Sequence, residues 1–245
     1  MARFFINKDA IEDNLIRISG KDAYHIARSL RMAVGDTLTV CDENGTEYFS
    51  SLTRIRDEEC LCEIISTKAG STESPVHITL YMAYPKGDKL ETVVQKSVEL
   101  GVSAIIPFES SRCIKRPAAE KADKITERLS RIAEEAAKQC GRSRLPEVSK
   151  MIRFSELTER VKDYDLTLFC YEGDGTQSLK SALESYGRRD GRIAVIIGSE
   201  GGFSREEADR IILSGAVCVN LGPRILRCET APDYCLSAIS YFFEL

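Results

Sequence analysis

The hydrophobic rhythm of this chain changes once, near residue 70, and that change fixes the classes of fold open to it. Before it, apolar residues come in short alternating runs: Arg3 to Asn7, Leu15 to Ser19, Thr37 to Asp42, Thr46 to Ile55 and Cys60 to Thr67. Polar turns separate them, and Asn44-Gly45 is the dipeptide best suited to the left-handed residues of a tight hairpin. One helical stretch, Asp22 to Leu30, interrupts the series. Residues 1–70 therefore read as a small barrel or sandwich module. Residues 68–75 are small, polar and without period, which marks a linker, with residues 71–76 as the boundary.

From residue 77 to 245 strands alternate with helices. Strands are expected at His77 to Pro85, Ala104 to Pro107, Leu166 to Tyr171, Arg192 to Gly198 and Ala216 to Leu221. Helices are expected at Asp88 to Leu100, Ala119 to Cys140, Leu179 to Tyr186, Arg205 to Ser214 and from Glu229 onward. In the longest, Ile125, Leu129, Ile132 and Ala136 form one stripe while Arg128, Arg131, Glu134, Glu135 and Lys138 fall off it, so one face is buried. Continuous apolar strands alternating with helices predict an α/β fold with a parallel sheet covered on both faces.

Composition narrows the function classes. A 245-residue chain with 43% hydrophobic and 29% charged residues is globular in type. No apolar run approaches a membrane span, the longest lying around Ile193 to Ile197, and the N-terminus turns polar where a secretory signal would become apolar. A cytoplasmic protein without membrane partners is expected. The nine cysteines are odd in number, scattered and without a C-x-x-C pair, and the two histidines, His25 and His77, lie far apart, so reduced core thiols are expected and no metal. A net charge of -4 argues against coating nucleic acid by bulk charge. Residues 71–150 nonetheless hold 14 basic against 11 acidic side chains, bunched at Arg112 to Arg116 and Lys138 to Arg144. Those clusters, each beside a chain breaker, read either as exposed phosphate contacts or as a solvated face balanced by Glu134, Glu135 and Glu147.

Three strand-to-helix junctions carry the chemistry. The first joins the strand Ile193 to Ile197 through Gly198-Ser199-Glu200-Gly201-Gly202 to a helix whose start, Ser204 with Glu207, is a capping box. Ligands of open parallel sheets bind at such strand ends. The spacing excludes the dinucleotide G-x-G-x-x-G, the absence of lysine excludes a phosphate-binding P-loop, and Glu200 stands where a nucleophilic serine would be needed. A structural glycine turn remains the other reading. The second junction, Leu221-Gly222-Pro223-Arg224-Ile225-Leu226-Arg227-Cys228-Glu229, places paired apolar residues between charges, either as a pocket wall or as a connector packed on its own domain. The third, Tyr84 to Glu91, carries Lys86 and Lys89. Three such junctions in one domain fit one composite site.

Taken in order, Phe4-Phe5, His25 with Arg28 and Arg31, Lys86 to Glu91, Lys96 to Gly101, Glu135 to Arg142, Gly198 to Phe203, Leu221 to Arg227 and Glu229-Thr230-Ala231 resemble the bacterial RsmE family of small-subunit ribosomal RNA methyltransferases over nearly the whole chain. The resemblance implies transfer of a methyl group from S-adenosylmethionine to N3 of one uridine in 16S rRNA of the small ribosomal subunit. It implies a PUA-like RNA-binding barrel, a C-terminal SPOUT domain with a trefoil knot, and a homodimer. The cofactor is expected against Gly198, Glu200, Gly201, Gly202, Leu221, Gly222, Ile225, Leu226 and Arg227, with Tyr171 and Glu172 as a third wall.

Such a donor has a sulfonium and an adenine but no phosphate, which makes the missing phosphate motifs intelligible. Uridine N3 must lose a proton as negative charge spreads onto its carbonyl oxygens, so Arg227 and Arg142 are expected to stabilise that charge and Glu229 or Glu200 to orient the base or take the proton. For RNA the expected contacts are Arg3, Arg28 and Arg31 on the first module and Lys86, Lys89, Arg112, Lys115, Arg116, Arg142 and Arg144 on the second. The family usually has proline at Ser199, threonine at Cys228 and tryptophan at Leu129, small departures that leave the glycines and charges in place. The alternatives are another SPOUT RNA methyltransferase with a different target and a catalytically silent RNA-binding ribosome-assembly protein.

Overall fold

Two sheets carry the chain in the computed structural model, which describes residues 1–114 and 119–245. The first compact unit comprises Met1–Glu73 and Ala137–Leu145, the second Ser74–Ala136 and Pro146–Leu245.

In the first unit β1 (Arg3–Phe5), β2 (Ile11–Glu12), β3 (Leu15–Ser19), β4 (Thr37–Cys41), β5 (Thr46–Ile55) and β6 (Glu59–Ala69) form one sheet in the order β1-β4-β5-β6-β3-β2. Only β1 and β4 pair in parallel. Alternation does what the period-two pattern requires: in β3, Ile16 and Ile18 are buried while Leu15, Arg17 and Ser19 face out. Phe4, Ile26, Leu38, Val40 and Leu52 complete a core with them. The β4–β5 turn is tied by Asp42, whose carboxylate accepts the N–H groups of Asn44 and Thr46 at 2.9 Å, with Gly45 at φ +81. The expected helix starts at Gly20, earlier than its pattern suggests: α1 (Gly20–Tyr24) widens into a π-turn over His25–Ser29, where Leu30 N–H donates to the His25 carbonyl at 2.9 Å.

Residues 68–75 and the basic loop 138–144 depart from expectation. Glu73 accepts from Arg142 Nε at 3.1 Å and from the N–H groups of Ser143 and Arg144 at 2.9 and 3.0 Å. Ser143 Oγ donates to Glu47 at 2.7 Å, and Arg3 Nη1 donates to Glu47 at 3.0 Å and to the Arg142 carbonyl at 3.2 Å. The segment up to Glu73 and the loop are therefore parts of the first unit, joined by charge and hydrogen bonds, which leave no hydrophobic period in a sequence, while Ser74 and Pro75 begin the second. Burial pushes Glu47 and Glu73 upward, yet the hydrogen bonds from Ser143 and Arg3 to Glu47, and from Arg142 to Glu73, hold both below the ordinary carboxylate value.

The second unit is an all-parallel sheet. Its strands β7 (Val76–Ala83), β8 (Ala104–Glu109), β9 (Glu147–Val148), β10 (Ile152–Arg153), β11 (Leu166–Cys170), β12 (Gln177–Ser178), β13 (Gly191–Ile197) and β14 (Val217–Asn220) run in the order β10-β8-β7-β13-β11-β14-β12, with β9 also on β8. The helices are α2 (Lys89–Glu99), α3 (Ala122–Cys140), α4 (Phe154–Arg160), α5 (Leu179–Tyr186), α6 (Arg205–Leu213) and α7 (Thr230–Glu244); the end of α3 from Ala137 counts with the first unit. The longer strands and helices follow the sequence pattern. The two-residue strands and α4 were not expected, because two residues hold no period and α4 spans only seven. The central β7 and β13 are buried almost throughout, as strands covered on both faces must be. All strands being parallel, their carboxyl ends share one edge of the sheet, where the three junctions meet.

Candidate active site

At that edge, the segments after β11, β13 and β14 enclose a cavity of about 920 Å³. Its floor is fixed from below. Phe203 is buried, stacks with Phe108 at 6.1 Å and meets the edge of Phe169 at 4.9 Å, so the turn Gly198–Gly202 is pinned to the aromatic core one residue after it ends. The turn closes on itself through Gly202 N–H to the Ser199 carbonyl at 2.9 Å, with Gly202 at φ +62. A Cβ on Gly198 would lie 2.9 Å from the Phe203 ring, and one on Gly201 would lie 2.9 Å from the Arg112 carbonyl. Gly198 and Gly201 are thus required by the protein's own packing, which is the structural reading of the turn that the sequence left open beside a ligand contact. Arg112 Nη1 donates to the Gly201 carbonyl at 3.1 Å, and Glu207, buried at the start of α6, accepts from Ser204 N–H at 3.0 Å and Ser111 N–H at 2.6 Å.

The charges form one group. Lys89, the first residue of α2, places its Nζ 2.9 Å from Glu200 Oε1 and 3.1 Å from Glu229 Oε2. Glu200 also accepts from Lys86 N–H at 3.2 Å. The Cys228 thiol donates to Glu229 at 3.2 Å and lies 3.9 Å from the Lys89 ammonium. The hydrogen bonds to Glu200 and then Glu229 raise Lys89 above its ordinary value. Burial pushes both glutamates up, but the hydrogen bonds they accept outweigh it, Lys89 being foremost for Glu200 and a contributor for Glu229, and both sit below the ordinary carboxylate value. The Cys228 thiol, pushed up to about 12 by burial and by Glu229, is not a nucleophile.

The structure brings together all of the expected cofactor residues: Tyr171, Glu172, Gly198, Glu200, Gly201, Gly202, Leu221, Gly222, Ile225, Leu226 and Arg227 line the cavity. Ile225 is 81% exposed and covers nothing of its own domain, while Leu226 is half-buried. Arg227 is exposed, and among the described residues its guanidinium has no partner. The Ser199 hydroxyl is buried and, among the described residues, has no hydrogen-bond partner, a polar group available to a ligand.

The expected RNA set scatters. Arg142 is 4% exposed and held by Glu73 in the first unit; it does not line the cavity. Arg3 is engaged by Glu47, Arg144 donates to the Asn44 carbonyl at 2.8 Å, and the exposed Arg28 pairs with Asp57. Lys86 and Arg31 are exposed, Arg31 at φ +51, and Lys89 is taken by two carboxylates. Lys115 and Arg116 lie outside the described residues. Sequence reasoning missed the hold of Arg112 on the glycine turn and of Lys89 on two junctions. One signal for the latter was present, since a lysine at the first position of a helix stands at the wrong end of its dipole. Among the described residues no group of His, Cys, Asp and Glu fits a metal ion, and no helix is long and apolar enough to cross a membrane.

Residues 72–240 match the RNA methyltransferase domain family, and residues 18–68 the RNA methyltransferase PUA domain family. The chain is 37% identical to ribosomal RNA small subunit methyltransferase E of Bacillus subtilis (strain 168), covering 100% of this chain and 98% of that protein. The Synechocystis protein of the same name is 29% identical, covering 99% of this chain and 78% of its own length. Among solved structures, the Neisseria gonorrhoeae ribosomal RNA small subunit methyltransferase E bound to S-adenosyl methionine matches with TM-score 0.86 at 28% identity, covering 99% and 98% of the two chains. A Legionella pneumophila protein in complex with bound cofactor SAM matches with TM-score 0.86 at 30% identity, covering 98% and 97%.

Proposed function

The chain belongs to the ribosomal RNA small subunit methyltransferase E family and is an S-adenosylmethionine-dependent rRNA methyltransferase, and we propose that its target is N3 of one uridine in 16S rRNA of the small subunit. Its architecture is that of the family, a PUA-like barrel and an α/β domain of the SPOUT type. The observation that carries the reading is the cavity of about 920 Å³ at the carboxyl ends of β11, β13 and β14, where the glycine turn, the apolar Ile225 and Leu226 and the Ser199 hydroxyl, unpartnered among the described residues, line one space. The cofactor supplies an activated methyl group on sulfur. Backbone of Gly198–Gly202 and Leu221–Leu226 would hold it, with the Ser199 hydroxyl as an available donor or acceptor.

The chain's own part in the reaction is to present the base, exclude water and meet developing charge. Arg227, exposed and unpartnered among the described residues at the cavity, suits the negative charge that grows on the uracil carbonyls as N3 gives its proton to solvent water and takes the methyl group, the neutral thioether leaving. Glu200 and Glu229, paired and held below the ordinary carboxylate value, are poor proton acceptors, so Glu229 is kept for orientation. Arg142, buried against Glu73, is given no part in the chemistry of its own chain.

The RNA contacts in this reading are Arg28 and Arg31 in the first unit and Lys86 and Arg112 in the second. The protein acts as a cytoplasmic homodimer on assembled small subunits. The order β8-β7-β13-β11, which sets a late strand between earlier ones, supports a knotted path. The test is mass spectrometry of 16S rRNA from cells lacking this protein. One methyluridine disappears and returns on supply of the wild-type chain but not of Arg227→Ala; an unchanged rRNA sinks the assignment.

A further inference from the structure

We infer that Lys89 is a positioning residue of the cofactor cavity: its ammonium grips one carboxylate from the glycine turn and one from the start of α7, and so sets the spacing of two cavity walls. The inference rests on the functional reading above.

Four observations lead to it. Lys89 belongs to the junction after β7, Glu200 to the junction after β13 and Glu229 to the junction after β14, so one side chain, with Nζ at 2.9 and 3.1 Å, joins three separate segments. Both carboxylate oxygens lie around one nitrogen and hence within about 6 Å of each other, where two like charges repel unless a cation stands between them. Nothing local favours a lysine here: as the first residue of α2 it faces the positive end of the helix dipole, and the partners across the cavity mouth offset that cost. Finally, the ammonium has three N–H groups and three neighbours, Glu200, Glu229 and the Cys228 sulfur at 3.9 Å, which leaves no donor for an RNA phosphate. The backbone reinforces the hold, since Lys86 N–H donates to Glu200 at 3.2 Å from the same junction.

The test is calorimetric titration of the full-length protein and its variants with S-adenosylmethionine, beside RNA binding measured across salt. Lys89→Met weakens cofactor binding about tenfold, whereas Lys89→Arg, which keeps the charge, stays within about threefold of wild type. In steady state the rise falls on KM for the cofactor, while KM for the RNA substrate and the salt slope of RNA binding do not move. Once Lys89→Met is present, adding Glu200→Gln costs little more, the coupling expected of partners. Glu200→Gln alone shifts affinity in the same direction by about threefold, which keeps the question open to measurement even where Lys89→Met does not fold. Unchanged cofactor affinity in Lys89→Met, equal losses in the Met and Arg variants, or a loss confined to RNA binding with a shallower salt slope each overturn the inference. Wild-type protein that takes up no cofactor overturns the functional reading instead.

Discussion

Two charged clusters, one in each unit, look alike on paper and are built differently. In the first unit Glu73 collects the Arg142 guanidinium and two backbone N–H groups, and Glu47 collects Ser143 and Arg3; Arg142 and Glu47 are almost wholly buried. In the second unit Lys89, Glu200 and Glu229 keep a quarter to a third of their side-chain surface in solvent, and Lys89 and Glu200 line a cavity. A buried, fully bonded cluster is costly to break because each orphaned partner stays out of water. A half-open one yields at small cost. The contrast separates residues that hold a fold from residues that hold a site, although both are arginine, lysine and glutamate in the sequence.

The largest expected effect breaks the buried cluster. Arg142→Ala leaves Glu73 half-buried without its cation and should destabilise the protein by about 3 kcal/mol, read from the urea midpoint. A shift no larger than that of an exposed arginine would erase the contrast. Next comes the cavity: Gly198→Ala forces the new methyl against Phe203 and should lower cofactor affinity about tenfold while costing stability by about 1–2 kcal/mol, separable by titration and thermal unfolding.

Acid sharpens the comparison further. Glu47 and Glu73 titrate below the ordinary value of 4.5 when folded, so their contribution is complete above that value and is lost as pH falls through the lower folded one. The same sign holds for Glu200 and Glu229, but their contribution is smaller for groups so exposed. Unfolding followed from pH 6 to pH 3 should therefore show a steep loss that Glu73→Gln flattens and Glu229→Gln hardly changes. The smallest effect is that of Arg28→Ala, whose exposed pair with Asp57 should leave the unfolding midpoint unmoved and weaken RNA binding instead.

What was legible in the sequence was whatever leaves a period or demands a glycine. The buried runs of β7 and β13, the stripe of α3 and the turn ending at Phe203 are written in hydrophobic spacing and in the absence of side chains, and they locate the cavity wall by wall. Polar partnerships across long sequence distance were not legible. Arg142 and Glu73 lie 69 positions apart, and Lys89 and Glu229 further still, with nothing local to announce either pair. A basic loop therefore read as an RNA surface where the fold uses it as a fastening. The same blindness placed residues 137–145 with the later part of the chain, when they complete the first unit.

That return has a consequence for synthesis. When the first seventy-three residues have been made, Glu73 and one side of Glu47 still lack their counterparts, and the barrel must wait for Ser143 and Arg142 before its polar seam can be sewn. The amino-terminal module is thus no free-standing cassette: cut at residue 73 it should melt earlier than the same region in the intact chain, and grafting it onto another enzyme would need the nine-residue patch from Ala137 to Leu145 carried along with it.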